Sequence, residues 1–304
     1  MVVARDVVRL LHGLCPLTLL VLTVLASNWR QRPSSAILIG LPFTDSQLQG
    51  DTQSWQRVRA VRSKRRQAWQ LLAETCTPDG STVRLSVRDG EYVISVDGDT
   101  LMSSRTHGSE EALATVACQG VPVSPRPRVL VGGLGMGFTL RAALDRLPPS
   151  AIVTVAELLP AVVEWNRGPL APLAGCPLGD RRVQVKSGED VGFTLRANTD
   201  RFDAILLDVD NGPAAFTATA NHGLYGNAGV DAAYAALRVG GTLAVWSAWE
   251  DRKFEQRLRF HGFSTEVNRV RARLKQGGRW HTIFRGVKAP GPQNWATGRR
   301  AQGA

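Results

Sequence analysis

The chain is expected to fold as an α/β protein on a doubly wound, mainly parallel sheet, and three observations carry that expectation. Short apolar runs alternate with helical patterns between residues 123 and 288, the mark of parallel strands joined by crossover helices. The first run ends in a glycine-rich turn that opens a helix. The last two runs are separated by only a few residues, so the sheet should finish in an antiparallel C-terminal hairpin.

The elements run in order along the chain. Pro127-Arg128-Val129-Leu130-Val131-Gly132 is a buried strand, Gly133, Gly135 and Gly137 make the turn, and Phe138, Leu140 and Ala143 resume a helical apolar face. Glycine lets the backbone turn sharply and approach a ligand, and the helix start offers unpaired amides. A dinucleotide fingerprint counted from Gly133 would need a small residue at 138. Phe138 stands there, so the G-x-G-x-G loop suits an S-adenosyl nucleotide better than NAD; a tight turn with no ligand is the plainer alternative. Ala151 to Ala156 is the second strand, and Glu157 ends it, 20 residues past Gly137. An acid at that distance can accept both ribose hydroxyl protons, although capping a helix that starts near Pro160 would use it too.

A helix around Ala161 to Asn166 leads to the third strand, Arg182 to Lys186, and then to Ser187-Gly188-Glu189-Asp190. Strand ends line the crevice in such sheets. A carboxylate here can accept a hydrogen bond from the adenine amine, with Asp190 preferred to Glu189, though both fit solvated turn acids. Phe202 to Leu207 is the fourth strand, and Asp208 and Asp210 lie where the chain leaves the sheet. A turn starting at Asp210 would carry that acid away, which makes Asp208 the reactive candidate; capping the next helix or loop is its plainer role. Beyond it come a helix from Gly229 to Leu237, a turn at Val239-Gly240-Gly241, a fifth strand from Thr242 to Ser247 and a helix from Phe254 to Phe260. Thr265 to Leu274 and Trp280 to Val287 form the terminal hairpin. Upstream, Thr82 to Val87 and Tyr92 to Val96 make a second hairpin around Arg88-Asp89-Gly90-Glu91. The expected organisation is a leader or linker over 1–66, a small N-terminal β-domain over 67–122, a Rossmann-like nucleotide-binding domain over 123–288, and a disordered tail over 289–304.

With these pieces in order, residues from about 80 to 288 resemble the spermidine synthase family, aminopropyltransferases on the class I S-adenosylmethionine methyltransferase fold. The matching pieces are Gly132-Gly133-x-Gly135-x-Gly137, Glu157, Gly188 with its following acids, and Asp208 with Gly212-Pro213 and Leu224-Tyr225. The resemblance implies that Glu157 holds the ribose, Asp190 or Glu189 the adenine, and that Asp208 orients or deprotonates an attacking amine. Substrate-side candidates are Tyr225 from the resemblance, Asp210 from its place at the strand end, and His107 from its place between the β-domain and the sheet beside Arg105 and Glu110; a structural histidine is the plainer reading of His107. The implied co-substrate is S-adenosylmethionine or its decarboxylated form, with no metal, and the acceptor is a small amine or other small nucleophile. A homodimer is left open. The chain departs from the family in the acceptor half. Gly135 and Met136 stand where the family's loop carries an Asp, Asn211 stands for a second Asp, and Ser104 to Glu111 contains no Tyr. Aminopropyl and methyl transfer share this pocket, and a non-catalytic nucleotide-binding protein is a third reading.

Composition agrees with a small-molecule enzyme. At 304 residues and 43% hydrophobic content the chain can bury a large core. The net charge of +11 is uneven: residues 1–66 hold ten basic and three acidic side chains, 67–251 hold 14 and 21, and 252–304 hold 13 and two. An acidic centre suits a cationic substrate and argues against nucleic acid across the crevice. Arg269, Arg271, Arg273, Lys275 and Arg279 fit either a phosphate-binding row or a solvated strand face, the latter preferred. Cys15, Cys76, Cys118 and Cys176 are scattered, and the five histidines have no metal-ligand spacing. Leu14 to Ala26 resembles a signal-peptide core behind Arg5 and Arg9, and is short for a membrane span. A cytoplasmic protein with a dispensable leader is expected; export or anchoring through Leu14–Ala26 is the alternative, and membrane contact is expected only if that segment is retained.

Overall fold

The computed structural model describes residues 67–119, 121, 125–209, 212–213, 221–273 and 277–289, with backbone alone at 221 and 222. The leader, the 289–304 tail past Ala289, and the positions of Asp210, Asn211 and Lys275 lie outside them. All described elements belong to the unit Trp69–Ala304.

The first four strands, β1 (Gln70–Cys76), β2 (Thr82–Arg88), β3 (Glu91–Val96) and β4 (Asp99–Ser103), form an antiparallel sheet in sequence order. Helix α1 (Gly108–Ala117) comes next, and then the main sheet begins. It contains β5 (Arg128–Gly132), β6 (Ile152–Glu157), β7 (Val183–Ser187), β8 (Phe202–Leu207), β9 (Leu237–Ser247), β10 (Phe263–Arg273) and β11 (Gly277–Lys288). The order across it is β10-β11-β9-β8-β5-β6-β7. Strands β5 to β9 are parallel, and the terminal hairpin adds two antiparallel strands at one edge. The chain winds outward from β5 to β7 and then returns to place β8 on the other side of β5. That reversal opens a crevice beyond the carboxyl ends of β5 and β8, where ligands bind in such sheets.

Both faces of the sheet are covered, and side-chain alternation along β5 shows how. Val129 and Val131 pack with Leu113 of α1, Leu140 and Leu144 of α2 (Phe138–Arg146) and Val163 of α3 (Pro160–Arg167). Leu130, pointing the other way, packs with Val191 and Leu195 of α4 (Val191–Arg196), Val230 of α6 (Asn227–Ala236) and Phe254 and Leu258 of α7 (Arg252–Phe260). A strand buried on both faces reads as a continuous apolar run for this reason. A short helix, α5 (Asn221–Tyr225), precedes α6. Among the described residues no helix is long and apolar enough to cross a membrane.

Two local differences from the sequence reading stand out. Strands β1 and β4 and helices α1, α4 and α5 join the expected elements. Val239 to Gly241, expected as a turn, belongs to β9, whose pairing with β8 slips between Phe202 and Ala204. Gly240 takes a positive φ of 79° within that irregular stretch, so the glycines bend a strand rather than end it.

Candidate active site

The crevice is organised by the turn after β5. Gly133 has φ 84°, and a Cβ there would lie 2.3 Å from the backbone oxygen of Asp208. No side chain fits that approach, so the turn runs directly against the end of β8. The Gly133 amide donates to Ala156 O at 3.0 Å and the Asp208 amide to Gly132 O at 2.9 Å, which ties the ends of β5, β6 and β8 together. Gly137, φ 82°, opens α2, and a Cβ on it would meet Asn166 Oδ1 at 3.0 Å. Asn166 is only 1% exposed; its Nδ2 donates to Gly135 O at 2.8 Å and to Val162 O at 2.9 Å. It fastens the glycine turn to α3. Above the turn, Met102 of β4 reaches Gly135, so the four-stranded sheet contributes to the same wall.

Glu157 ends β6 at 8% exposure. Its Oε2 accepts the Leu134 amide of the glycine turn at 2.8 Å, and its Oε1 accepts the Leu159 amide ahead of α3 at 2.9 Å. The bond to Leu159 is the helix-entry role foreseen for this acid. One carboxylate ties both loops together. Beyond β7, Gly188 and Glu189 donate their amides to Glu157 O at 2.8 and 3.2 Å, which brings the next pair of acids to the crevice. Asp190 caps α4, its Oδ1 accepting the Phe193 amide at 2.8 Å. Glu189 accepts from Thr194 Oγ1 at 2.6 Å and from Lys186 Nζ at 3.1 Å, and these bonds hold its carboxyl below the ordinary range.

Asp208, the residue after β8, is partly exposed, and its Oδ2 accepts a hydrogen bond from Thr139 Oγ1 of α2 at 2.5 Å. Dense surrounding protein raises its carboxyl to about 6 despite that bond. Tyr225 is buried and donates its hydroxyl to Val209 O at 3.0 Å, which fixes the path of the chain just past Asp208. His107 precedes α1, stacks on Phe138 with ring centroids 4.2 Å apart, and bonds Glu111 Oε1 through Nδ1 at 2.7 Å. Its ring braces α1 against α2. Gly133, Gly135, Gly137, Glu157 and Asp208 thus meet at one crevice, with Glu189 and Asp190 at its β7 side. Asp210 lies outside the described residues.

A second acid, Glu110 of α1, has no counterpart among the residues singled out from sequence. It is 7% exposed and is raised to about 8, by burial first and then by the charge of Asp208. The order is that of two coupled acids: Asp208 ionises first, and its charge then opposes loss of the second proton. Ser109 Oγ donates to Glu110 Oε2 at 2.6 Å and lies 2.9 Å from His281 Nδ1 of β11. His281 is held below its usual range by burial and then by Arg279, and its ring meets Trp246 edge-on at 4.7 Å. Thr139 and Asn166 were missed because each is a polar residue within a mixed helix, Ser109 and Glu110 because they open a helix that starts like a polar loop, and His281 because it lies on a mixed hairpin strand. Only Thr139, two positions after Gly137, carried a positional cue.

The sheet order with its terminal hairpin, and the acids at the ends of β6 and β8, define a class I methyltransferase-like fold carrying an N-terminal four-stranded sheet. Solved spermidine synthases share that fold. The chain superposes on a spermidine synthase in complex with the transition-state analogue AdoDATO, and on the spermidine synthase of Thermotoga maritima, each with TM-score 0.57, 20% identity, and coverage of 72% of this chain and 73% of the other. A probable spermidine synthase from Corynebacterium glutamicum gives TM-score 0.52 at 15% identity, covering 75% of this chain and 83% of its own. No family model matches the chain, and no curated protein matches it significantly.

Proposed function

We propose that the protein is a transferase that binds an S-adenosyl nucleotide at the glycine turn and moves an alkyl group, aminopropyl first among the choices, to a small amine. The observation that carries this reading is Asp208: a carboxyl raised to about 6, at the open end of β8, directly against the glycine turn. An acid in that range is charged at neutral pH and basic enough to take a proton from a bound ammonium group. In this scheme Glu157 accepts the ribose hydroxyls, and Asp190 or Glu189 accepts the adenine amine. Asp208 removes the proton from the acceptor ammonium. The freed nitrogen lone pair attacks the carbon next to the sulfonium, the carbon–sulfur bond breaks, and its electrons leave sulfur as a neutral thioether. The protein supplies alignment and a proton acceptor, and no metal has a part.

The shared fold of spermidine synthases, one of them solved with a transition-state analogue, supports decarboxylated S-adenosylmethionine as the co-substrate. Mass analysis of products tests this directly. Purified protein is incubated with decarboxylated or ordinary S-adenosylmethionine and a panel of mono- and diamines. An aminopropylated amine with methylthioadenosine is the expected result. A methylated amine would reassign the chain to methyl transfer, and tight nucleotide binding with no product would make it a binding protein.

A further inference from the structure

Asn211 stands where the resembling family has a second acid, yet a second carboxyl comes to Asp208 from another element. Helix α1 runs against the direction of β8. Gln119 and Val121, just past its end, lie beside Asp203 and Thr242 at the start of β8 and inside β9, so its first turn, with Glu110, lies toward the strand end that carries Asp208; His107, just ahead of that turn, stacks on Phe138, the neighbour of the Thr139 that bonds Asp208. The groups facing Glu110 are few. Asp208 lies at the end of β8, Glu111 is on α1 itself, and His281, under the influence of Arg279, approaches through Ser109 from β11. Among the described residues no Lys, Arg or His forms a salt bridge with Glu110, while Glu111 is paired with His107. A buried carboxyl that faces a carboxylate without a cation must either keep a proton or meet a positive charge from outside the protein.

We propose that Glu110 is a specificity-determining residue of the acceptor site, which keeps its proton while the site is empty and yields it when an acceptor carrying a second ammonium group binds. The inference rests on reading Asp208 as the acid that faces the amine. In the step, the Glu110 O–H bond breaks and the proton passes to water or buffer; the carboxylate left behind is balanced by the incoming ammonium, and no bond of the acceptor changes. A diammonium ligand is then held by two carboxylates and a monoammonium ligand by Asp208 alone. Ser109 assists, because its hydroxyl bond favours the ionised form of Glu110.

Calorimetry on the full chain, with methylthioadenosine present, tests the idea. 1,4-Diaminobutane and n-butylamine are titrated in buffers of different ionisation enthalpy at about pH 7, between the ranges of the two acids. Wild type should release close to one proton on binding the diamine and none on binding butylamine. Glu110→Gln should release none, and should lose roughly tenfold or more in affinity for the diamine but less than about threefold for butylamine, since one charged contact is removed. Ser109→Ala, which keeps the carboxyl, should move the proton release to higher pH. Proton release that persists in Glu110→Gln, or equal losses for both amines, would overturn the proposal while leaving the acceptor-site reading intact. If neither amine binds wild type, that reading fails and takes the proposal with it. Infrared titration of the empty protein supplies a check without ligand: a protonated-carboxyl band that persists at about pH 7 and vanishes in Glu110→Gln is expected, and its absence from wild type would also overturn the proposal.

Discussion

At the scale of single residues, the two acids at the ends of β6 and β8 should behave differently when neutralised. Glu157→Gln retains one acceptor oxygen but sets its NH2 group against one of the two amide donors, Leu134 or Leu159. It should weaken S-adenosyl nucleotide binding by about 1–3 kcal/mol, the scale of a charge-assisted bond left mismatched, as read by calorimetry. Asp208→Asn keeps the shape and removes the base. Turnover should fall by roughly two orders of magnitude or more while nucleotide affinity changes little. Equal loss of nucleotide binding in both variants would make Asp208 a structural acid, and full activity in Asp208→Asn would remove it from the chemistry. These two positions were legible because strand ends in a parallel sheet announce themselves: an apolar run stops, and an acid comes next. Glu110 was not legible. Its neighbour in sequence is another acid, and only the packing of α1 over β8 and β9 reveals which of the two is buried.

At the scale of elements, the glycine turn is the tightest constraint between strands. Gly133→Ala would force a side chain into a left-handed backbone at φ 84° and into the Asp208 carbonyl at 2.3 Å. Neither the turn nor the strand end can yield without breaking the amide bonds that join β5, β6 and β8. A loss of about 2–4 kcal/mol in denaturant unfolding is expected, beyond an ordinary Gly→Ala cost, together with loss of nucleotide binding. Native-like stability with intact binding would show that the turn is looser than its geometry indicates. The strands of the parallel core were readable from sequence because each is buried on both faces, and so writes a continuous apolar run. The elements that escaped lack this signature. Strand β1, Gln-Leu-Leu-Ala-Glu-Thr-Cys, is an edge strand with mostly exposed positions, and β4 is a five-residue edge. Helix α1 begins with Gly-Ser-Glu-Glu and has no side-chain cap bond at His107, so its start resembles a loop. At Gly240 and Gly241 the composition of a turn was used instead for an irregularity inside β9.

At the scale of the whole molecule, the pair of raised acids should set how stability varies with pH. Glu110 and Asp208 are raised from 4.5 and 3.8 to about 8 and about 6, so between the unfolded and folded values the native state binds more protons than the unfolded chain. Stability therefore falls as pH rises through that window and levels off above about 8. A shift as large as that of Glu110 corresponds to roughly 4–5 kcal/mol if fully expressed. His281 works in the opposite direction, because burial keeps it neutral and the unfolded chain gains a proton below about 6.5. Two raised carboxyls against one lowered imidazole leave a net gain on acidification. The gain ends below about 4.5, where the unfolded carboxyls also protonate. There Asp180, lowered to about 2 by its bonds to Arg182, begins to lose its ion pair and its share of stability. Thermal and urea unfolding should accordingly show a maximum near about pH 5 and a decline toward about pH 8. Glu110→Gln should flatten that decline and exceed wild type in stability at the alkaline end, since it removes the charge that burial and Asp208 oppose. A wild-type profile that is level between these limits, or a variant that declines as steeply as wild type, would show that Glu110 is solvated and ionises like an ordinary surface acid.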